Sequence, residues 1–209
     1  MSVRRIVARS WFVPAFVAMM MLTKPLSAGN AGAGDVLPAS ASPSGYSLTD
    51  MAEELAYFDT SGNNTAYLPA FPFQVLYIND TNTFTVKTGT RFFVPMFSID
   101  DSPPIIGDFP TDPSQTADYI FGQDEIGLTM SITVDGKTTP LGPAYVAGPV
   151  TAPDLLDGGG SHIIQGGVFL TPLPKGVHTI SLHNVYTGDA IVALYGPLEF
   201  ITTYTVTVK

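Results

Sequence analysis

Hydrophobic and polar residues alternate with a period of two along most of the chain after residue 67. The pattern is clearest at residues 128–134, where Leu, Met, Ile and Val take every second position and Thr and Ser lie between them. Because successive side chains of a strand point to opposite faces, this alternation predicts strands with one face on a core and the other in water. Further strands are predicted at residues 73–78, 84–87, 91–99, 162–170, 177–185, 190–194 and 200–208.

Two of these strands carry additional local signals. Residues 73–78 and 84–87 flank the turn sequence Asn-Asp-Thr-Asn at 79–82 and are predicted to form a hairpin. Pro95 interrupts the aromatic strand at 91–99. Because proline cannot donate to a sheet ladder, we expect a bulge, a bend or a sheet edge at this position.

One segment has helical spacing instead. Residues 47–58 place Leu48, Met51, Leu55 and Phe58 on one side of a helix. Ser47 is expected to cap the N-terminus of this helix. The acidic residues of the first turn suit the positive end of its dipole.

Short strands dominate the predicted elements, and the chain also has 20 glycines and 18 prolines. We therefore predict a mainly β fold, an antiparallel β-sandwich of the immunoglobulin or jelly-roll kind with one short N-terminal helix. The sandwich domain is assigned to residues 46–209. Residues 34–45, rich in small residues, Ser and Pro, are expected to form a disordered leader.

The first 33 residues have the features of a bacterial secretory signal. Arg4, Arg5 and Arg9 precede an apolar run at residues 11–22, and an A-x-A match follows at 31–33. We predict that residues 1–33 are a signal peptide and that the mature protein is secreted or periplasmic. No membrane span is expected after the signal is removed.

Acidic residues dominate the rest of the chain. After residue 33, five Lys and Arg residues stand against 18 Asp and Glu residues, which gives a formal charge of −13. Such a surface repels phosphate backbones, so nucleic acid is not expected as a partner. The chain has no Cys, which excludes thiol catalysis, Cys-based zinc sites and iron–sulfur clusters. The predicted partner is an extracellular ligand, either a carbohydrate or a protein.

Carboxylates crowd the longest segment without a predicted element, residues 100–125. Hard cations such as Ca²⁺ take several oxygen ligands, which makes this segment a candidate calcium site. The alternative is a solvated acidic loop. Calcium is the one cofactor predicted, with the ligands Asp100, Asp101, Asp108, Asp124 and Glu125.

Catalytic chemistry has little support in the sequence. His178 and His183 have opposite parity on one strand, so they cannot converge on one site. His162 follows a glycine-rich loop and is either a ligand or general base beside Asp157, or simply the start of a strand. There is no G-x-S-x-G nucleophile motif. No catalytic residue is assigned.

The leading hypothesis is therefore an exported binding or structural module without enzymatic activity. Two alternatives stay open. One is a secreted hydrolase acting on glycans or esters, and the other is a calcium-binding module that uses the loop from Asp100 to Glu125.

Several motifs occur in a characteristic order. They are Gly45-Tyr46, the helix, Phe92-Phe93-Val94-Pro95, the strand entry at residues 173–182 and a terminal Tyr-x-Val-x-Val at 204–208. This arrangement resembles a family of uncharacterised exported bacterial β-sandwich proteins over about half of the chain after the signal. That family usually carries tryptophans in its N-terminal helix and paired cysteines, which this chain lacks. The resemblance implies a fold and an export signal, and no activity.

Overall fold

The alternating segments form nine strands in two sheets. The computed structural model describes residues 32–209, so the predicted signal peptide lies outside the described residues except for Gly32 and Ala33. The strands are β1 Gln74–Val75, β2 Thr83–Val86, β3 Phe92–Asp100, β4 Leu128–Val134, β5 Lys137–Leu141, β6 Val146–Thr151, β7 His162–Leu170, β8 Gly176–Tyr186 and β9 Leu198–Val208. Sheet A has the order β1-β3-β7-β6, and sheet B has the order β2-β9-β8-β4-β5. The predicted mainly β sandwich is confirmed.

Helices are few and short. They are α1 Leu48–Thr60, α2 Thr116–Phe121 and α3 Asp189–Tyr195, with four single 3₁₀ turns at Pro43–Gly45, Thr65–Tyr67, Pro113–Gln115 and Pro143–Tyr145. Within the described part of the chain, none of the helices is long and apolar enough to cross a membrane.

The core between the sheets is built by the alternation seen in the sequence. Leu128, Met130, Ile132 and Val134 of β4 are all buried. They share one apolar cluster with Ile180, Leu182, Tyr204 and Val206 of the neighbouring strands. The predicted inward face of sheet B is therefore correct.

The predicted hairpin at residues 73–87 is wrong. β1 pairs in parallel with β3 in sheet A, and β2 pairs in parallel with β9 in sheet B. Residues 79–82 do form a turn, in which the Asn79 side chain accepts hydrogen bonds from the backbone N–H groups of Thr81 and Asn82. This turn carries the chain from one sheet to the other. The same turn motif can join two strands of one hairpin or carry the chain from one sheet to the other, so it does not predict which strands pair.

A bulge in β3 confirms the expectation at Pro95. The ladder with β7 shifts register between Pro95 and Phe97. Val94, Met96, Phe97 and Ile99 all belong to the core between the sheets, so the inward parity changes from even to odd across the bulge. The Asn184 side chain donates to the Met96 carbonyl oxygen at 2.6 Å and ties this irregularity to sheet B.

Helix α1 covers the outer face of sheet A. Ser47 caps it as predicted: its hydroxyl oxygen accepts from the Asp50 backbone N–H at 3.2 Å, and the Ser47 backbone N–H donates to the Asp50 carboxylate at 2.7 Å. The helix buries its apolar side against the outward residues of sheet A, and the second core cluster contains Met51, Leu55, Phe58, Val75, Phe93, Val150, Ile163 and Phe169. Sheet A is therefore packed on both faces.

Two glycines of β7 allow this double packing. A Cβ atom at Gly166 would overlap the ring of Phe97, and one at Gly167 would overlap the ring of Phe93. The two phenylalanines lie on opposite faces of the sheet, one in each core cluster. Close approach of an aromatic ring to a strand is a usual reason for glycine in a strand interior.

The leader, residues 34–45, lies against the sandwich, contrary to the expected disorder. The Leu37 backbone N–H donates to the Phe169 carbonyl at 2.8 Å. Lys137 forms an ion pair with Asp35 at 2.6 Å, and Pro43 is buried. The composition of this segment predicts flexibility. Its backbone nevertheless pairs with the end of β7, and composition carries no information about such a partner.

The strand predicted at residues 190–194 is also wrong, since these residues lie in α3. A short apolar run fits a strand or a helix equally well by periodicity. Gly188 precedes the helix, and Gly196 follows it with a φ of 76° and a ψ of 177°, a backbone region that is open essentially only to glycine.

Replacing Ile132, which is fully buried, with alanine should lower the free energy of unfolding by about 2–5 kcal/mol because it leaves a cavity in the core. Thr129→Ala, on the exposed face of the same strand, is the matched control and should change it by less than about 0.5 kcal/mol. Urea denaturation of both variants tests this, and equal losses would mean that the inward face of β4 is misassigned.

Asp59, near the end of α1, is expected to make the stability of the fold depend on pH. It accepts a hydrogen bond from the Gln165 amide of β7, whose own oxygen is buried without a partner. Desolvation raises the pKa of Asp59 to about 7, although the bond from Gln165 opposes the rise. A folded-state pKa above the unfolded value means that folding is favoured while Asp59 is protonated. This stability is lost as the pH rises from about 4 through 7.

Asp59→Asn should therefore be more stable than the wild type at pH 8, by on the order of 1–3 kcal/mol. The asparagine amide can also donate to the unpaired Gln165 oxygen. The difference in the free energy of unfolding between the variant and the wild type should shrink towards pH 4. Denaturation of both proteins at pH 4, 6 and 8 measures it, and parallel pH profiles would contradict the assignment.

Candidate functional site

Three connections meet at one end of the sandwich. They join β3 to β4 (residues 101–127), β6 to β7 (152–161) and β8 to β9 (187–197). The first contains α2 and the third contains α3. We call this region the three-loop end. It contains the acidic segment singled out in the sequence.

The five predicted calcium ligands are divided between two places at this end. Asp100 and Asp101 lie where β3 ends. Asp108, Asp124 and Glu125 line a cavity of about 770 Å³, together with Asp118, Phe109 and Tyr119. The Asp108 backbone N–H donates to a Glu125 carboxylate oxygen at 3.2 Å. Within residues 32–209, no group of three or more His, Asp or Glu side chains is placed to hold a metal ion. The calcium site stays a prediction.

His162 is paired with Asp101, and its suggested partner Asp157 binds elsewhere. Nδ1 of His162 lies 2.8 Å from Oδ2 of Asp101. The other Asp101 oxygen accepts from the backbone N–H groups of Ser161 at 2.6 Å and His162 at 2.8 Å. Desolvation raises the pKa of Asp101, but these hydrogen bonds outweigh it and hold the pKa below its usual range.

Asp100 and Asp157 form a second acidic arrangement beside the first. The Ser102 hydroxyl donates to Asp157 at 3.1 Å and accepts from the Gly160 backbone N–H at 3.0 Å. The Ser102 backbone N–H donates to Asp100 at 2.7 Å. Desolvation raises the pKa of Asp100, and the neighbouring Asp157 carboxylate adds to the rise. Ser102 therefore holds two like charges close together.

This arrangement lacks the relay that a serine hydrolase needs. An activated serine must contact a general base, usually a histidine. The Ser102 hydroxyl contacts Asp157 and a backbone N–H. Within the described residues, none of the three histidine rings is hydrogen-bonded to a serine or threonine hydroxyl: His162 bonds to Asp101, His178 to Asp135 and the Pro174 carbonyl, and His183 to Glu199. As predicted, His178 is buried and His183 points the other way.

The most distinctive surface lies along one side of the sandwich, where both sheets have a partly unpaired edge. β1 pairs only with Phe92 and Phe93 of β3. β2 pairs only with Thr205–Val208 of β9, so among residues 32–209 the segment 198–204 has β8 on one side and no strand on the other.

Unpaired backbone groups line this part of β9. The backbone N–H of Thr205 donates to Asn82, and that of Lys209 donates to Val86, so odd-numbered residues face the side of β2. Because the pattern repeats every second residue, the N–H and C=O groups of Glu199, Ile201 and Thr203 point to the same side. No backbone partner for them occurs within the described residues.

Three neighbouring cavities lie along this edge. Their volumes are about 160, 240 and 230 Å³. Ser98 lines all three, and Ile99, Ile106 and Tyr195 line the last two. We call this feature the edge groove. Its apolar part is lined by Tyr186, Ile191, Leu198 and Phe200, and its far end by Asp100, Ser102 and Asp157.

Large apolar side chains are exposed along the edge groove. Phe200 is 52% exposed and Tyr195 53%, while Ile201, 67% exposed, lies beside them on the outer face of sheet B. One signal of this exposure is present in the sequence, since Ile201, next to Phe200, is an aliphatic residue on the polar face of an otherwise alternating strand. The groove itself depends on which strands pair at the edges, which no local pattern encodes.

Comparison with known proteins adds little. No protein-family model matches the sequence, and no curated protein matches it. The solution structure of Amebosin is similar at a TM-score of 0.30 and 17% identity, over 66% of this chain and 100% of that chain. The cysteine protease inhibitor EhICP2 from Entamoeba histolytica gives 0.28 and 16%, over 68% and 99%. At these values neither similarity bears on function.

The calcium prediction can be tested directly. Calcium that binds only the folded state would raise the melting temperature, and millimolar concentrations suffice for extracellular sites. If the predicted site binds calcium, the melting temperature should be higher in about 10 mM calcium than in a chelator, and an unchanged value would remove the prediction. An increase that Asp124→Asn abolishes, but Asp154→Asn does not, would establish the site.

Proposed function

We propose that the mature protein is an exported, non-enzymatic binding module. Its ligand is an extended segment of another polypeptide, held along the edge groove as an additional strand beside β9. This proposal includes the export predicted from residues 1–33. The observation that carries it is the row of unpaired backbone groups at Glu199, Ile201 and Thr203.

An open strand edge is a strong template for another chain. Proteins usually protect such an edge with lysine, proline, a bulge or a covering loop. The sequence from 198 to 204, Leu-Glu-Phe-Ile-Thr-Thr-Tyr, contains neither lysine nor proline. Its one charged side chain, Glu199, is hydrogen-bonded to His183 at 2.7 Å. The edge therefore has little protection against pairing.

The cavities beneath the edge provide the second element of strand recognition. In strand addition, main-chain hydrogen bonds provide affinity, and pockets for alternate side chains provide specificity. A strand added beside β9 would direct every second side chain between the sheets. There it would meet Phe200, Tyr186 and Ile99, which line the central cavity.

A polypeptide fits these features better than the other predicted ligand class, a carbohydrate. An extended chain satisfies the N–H and C=O groups of β9 at the strand repeat of about 3.3 Å per residue and fills the apolar cavities at the same time. The hydrolase alternative has no support in the contacts of the three histidines.

The test uses a fluorescent peptide of about eight residues that alternates threonine and valine, with binding followed by anisotropy. Ile201→Pro removes an outward N–H group and leaves the even-numbered residues free to pair with β8. Phe200→Ala removes a wall of the groove. Each should weaken binding by at least about tenfold.

Val177→Thr is the matched control, because Val177 is 70% exposed on sheet B but lies away from the groove. It should leave the affinity unchanged. Hydrogen exchange should also slow at the amides of Ile201 and Thr203 on binding. A wild-type protein that does not bind the peptide, or equal losses in all three variants, would overturn the proposal.

A further inference from the structure

The far end of the edge groove differs in chemistry from its centre. The cavity of about 230 Å³ there is lined by Asp100, Asp157, Ser102 and Tyr195, and it continues into the apolar part through Ile99 and Ile106. None of its lining residues is a lysine or an arginine. The edge groove thus joins an apolar cavity to an acidic one.

We infer that the segment bound in the edge groove carries a lysine or arginine whose cationic group lies between Asp100 and Asp157. This inference rests on the proposed function and specifies the partner of the same site. It identifies the partner as a polypeptide with a large apolar side chain and a basic one close to it in sequence.

Charge complementarity is the first argument. Asp100 and Asp157 are held near each other by Ser102, which bonds to both. No lysine or arginine lines this cavity, and the Nδ1 atom of His162 is bonded to Asp101 rather than to either of these carboxylates. A basic side chain would supply the missing charge, and hydrogen bonds between a cation and carboxylates are among the strongest in proteins.

The walls of this cavity suit the rest of a basic side chain. Lysine and arginine bury their methylene stems along apolar surface while the charged group stays in a polar one. Ile99 and Ile106 provide the apolar surface, and Tyr195 adds an exposed aromatic ring that a cation can approach.

The acidic cavity is within reach of a long side chain on a segment seated over the central cavity. The two cavities are neighbours that share Ser98, Ile99, Ile106 and Tyr195. A lysine or arginine side chain can therefore extend from one cavity into the other.

The test compares two fluorescent peptides that alternate threonine and valine and differ at one inward position, lysine in one and glutamate in the other. Each is titrated into the mature protein by anisotropy at low and high salt. We expect the lysine peptide to bind at least about tenfold more tightly, with a preference that decreases as salt rises.

Two double variants test whether Asp100 and Asp157 cause the preference for the lysine peptide. Asp100→Asn with Asp157→Asn should bring the lysine and glutamate peptides to equal affinity, and its circular dichroism spectrum and melting temperature show whether the variant is folded. Asp108→Asn with Asp124→Asn removes two charges from the β3–β4 connection, outside the groove, so it should keep the preference. If the first pair does not fold, Asp157→Asn alone replaces it.

The outcomes separate the two proposals. If none of the peptides binds, the proposed function fails. If lysine and glutamate peptides bind equally, the function stands and the preference for a basic partner is wrong. A preference that survives Asp100→Asn with Asp157→Asn would also overturn it, because the overall negative charge would then be its cause.

Discussion

The register shift in β3 at Pro95–Phe97 is the constraint on which the rest of the architecture depends. It places Met96 and Phe97 in the core together and reverses the inward parity of the strand that follows. The shift is held from sheet B by Asn184, and Phe97 fits only because β7 has Gly166 opposite it. Residues 97–100 thereby lie past the part of β3 that β1 covers, and they form one wall of the edge groove.

The parts of the fold that depend on local sequence could be predicted, and the parts that depend on pairing could not. The inward face of β4, the cap at Ser47 and the bulge at Pro95 each follow from periodicity or from the chemistry of one residue. β1 pairs in parallel with β3, and β2 pairs in parallel with β9. These pairings depend on which edges of strands elsewhere in the sequence are free. Residues 190–194 form a helix because Gly188 and Gly196 bound them, although their apolar run also fits a strand.

The same distinction applies to the site. The acidic segment could be located from the sequence, but spacing along the chain led to the prediction of a single calcium site for all five carboxylates. The fold divides them, with Asp101 fixing His162, Asp100 facing Asp157, and Asp108, Asp124 and Glu125 in a separate cavity. Asp157 and Ser102, separated by 55 residues, meet only because β3 and β7 are neighbours. Contacts of this kind are invisible to spacing along a chain.

The short strand β2 fixes the reach of the open edge. It occupies the outward side of β9 from Thr205 onward, so a further strand can align only with residues 198–204, a span of about 23 Å. The footprint on a partner would then be about seven residues. A stretch that short can be supplied by a tail or a surface loop without disturbing the folded body that carries it.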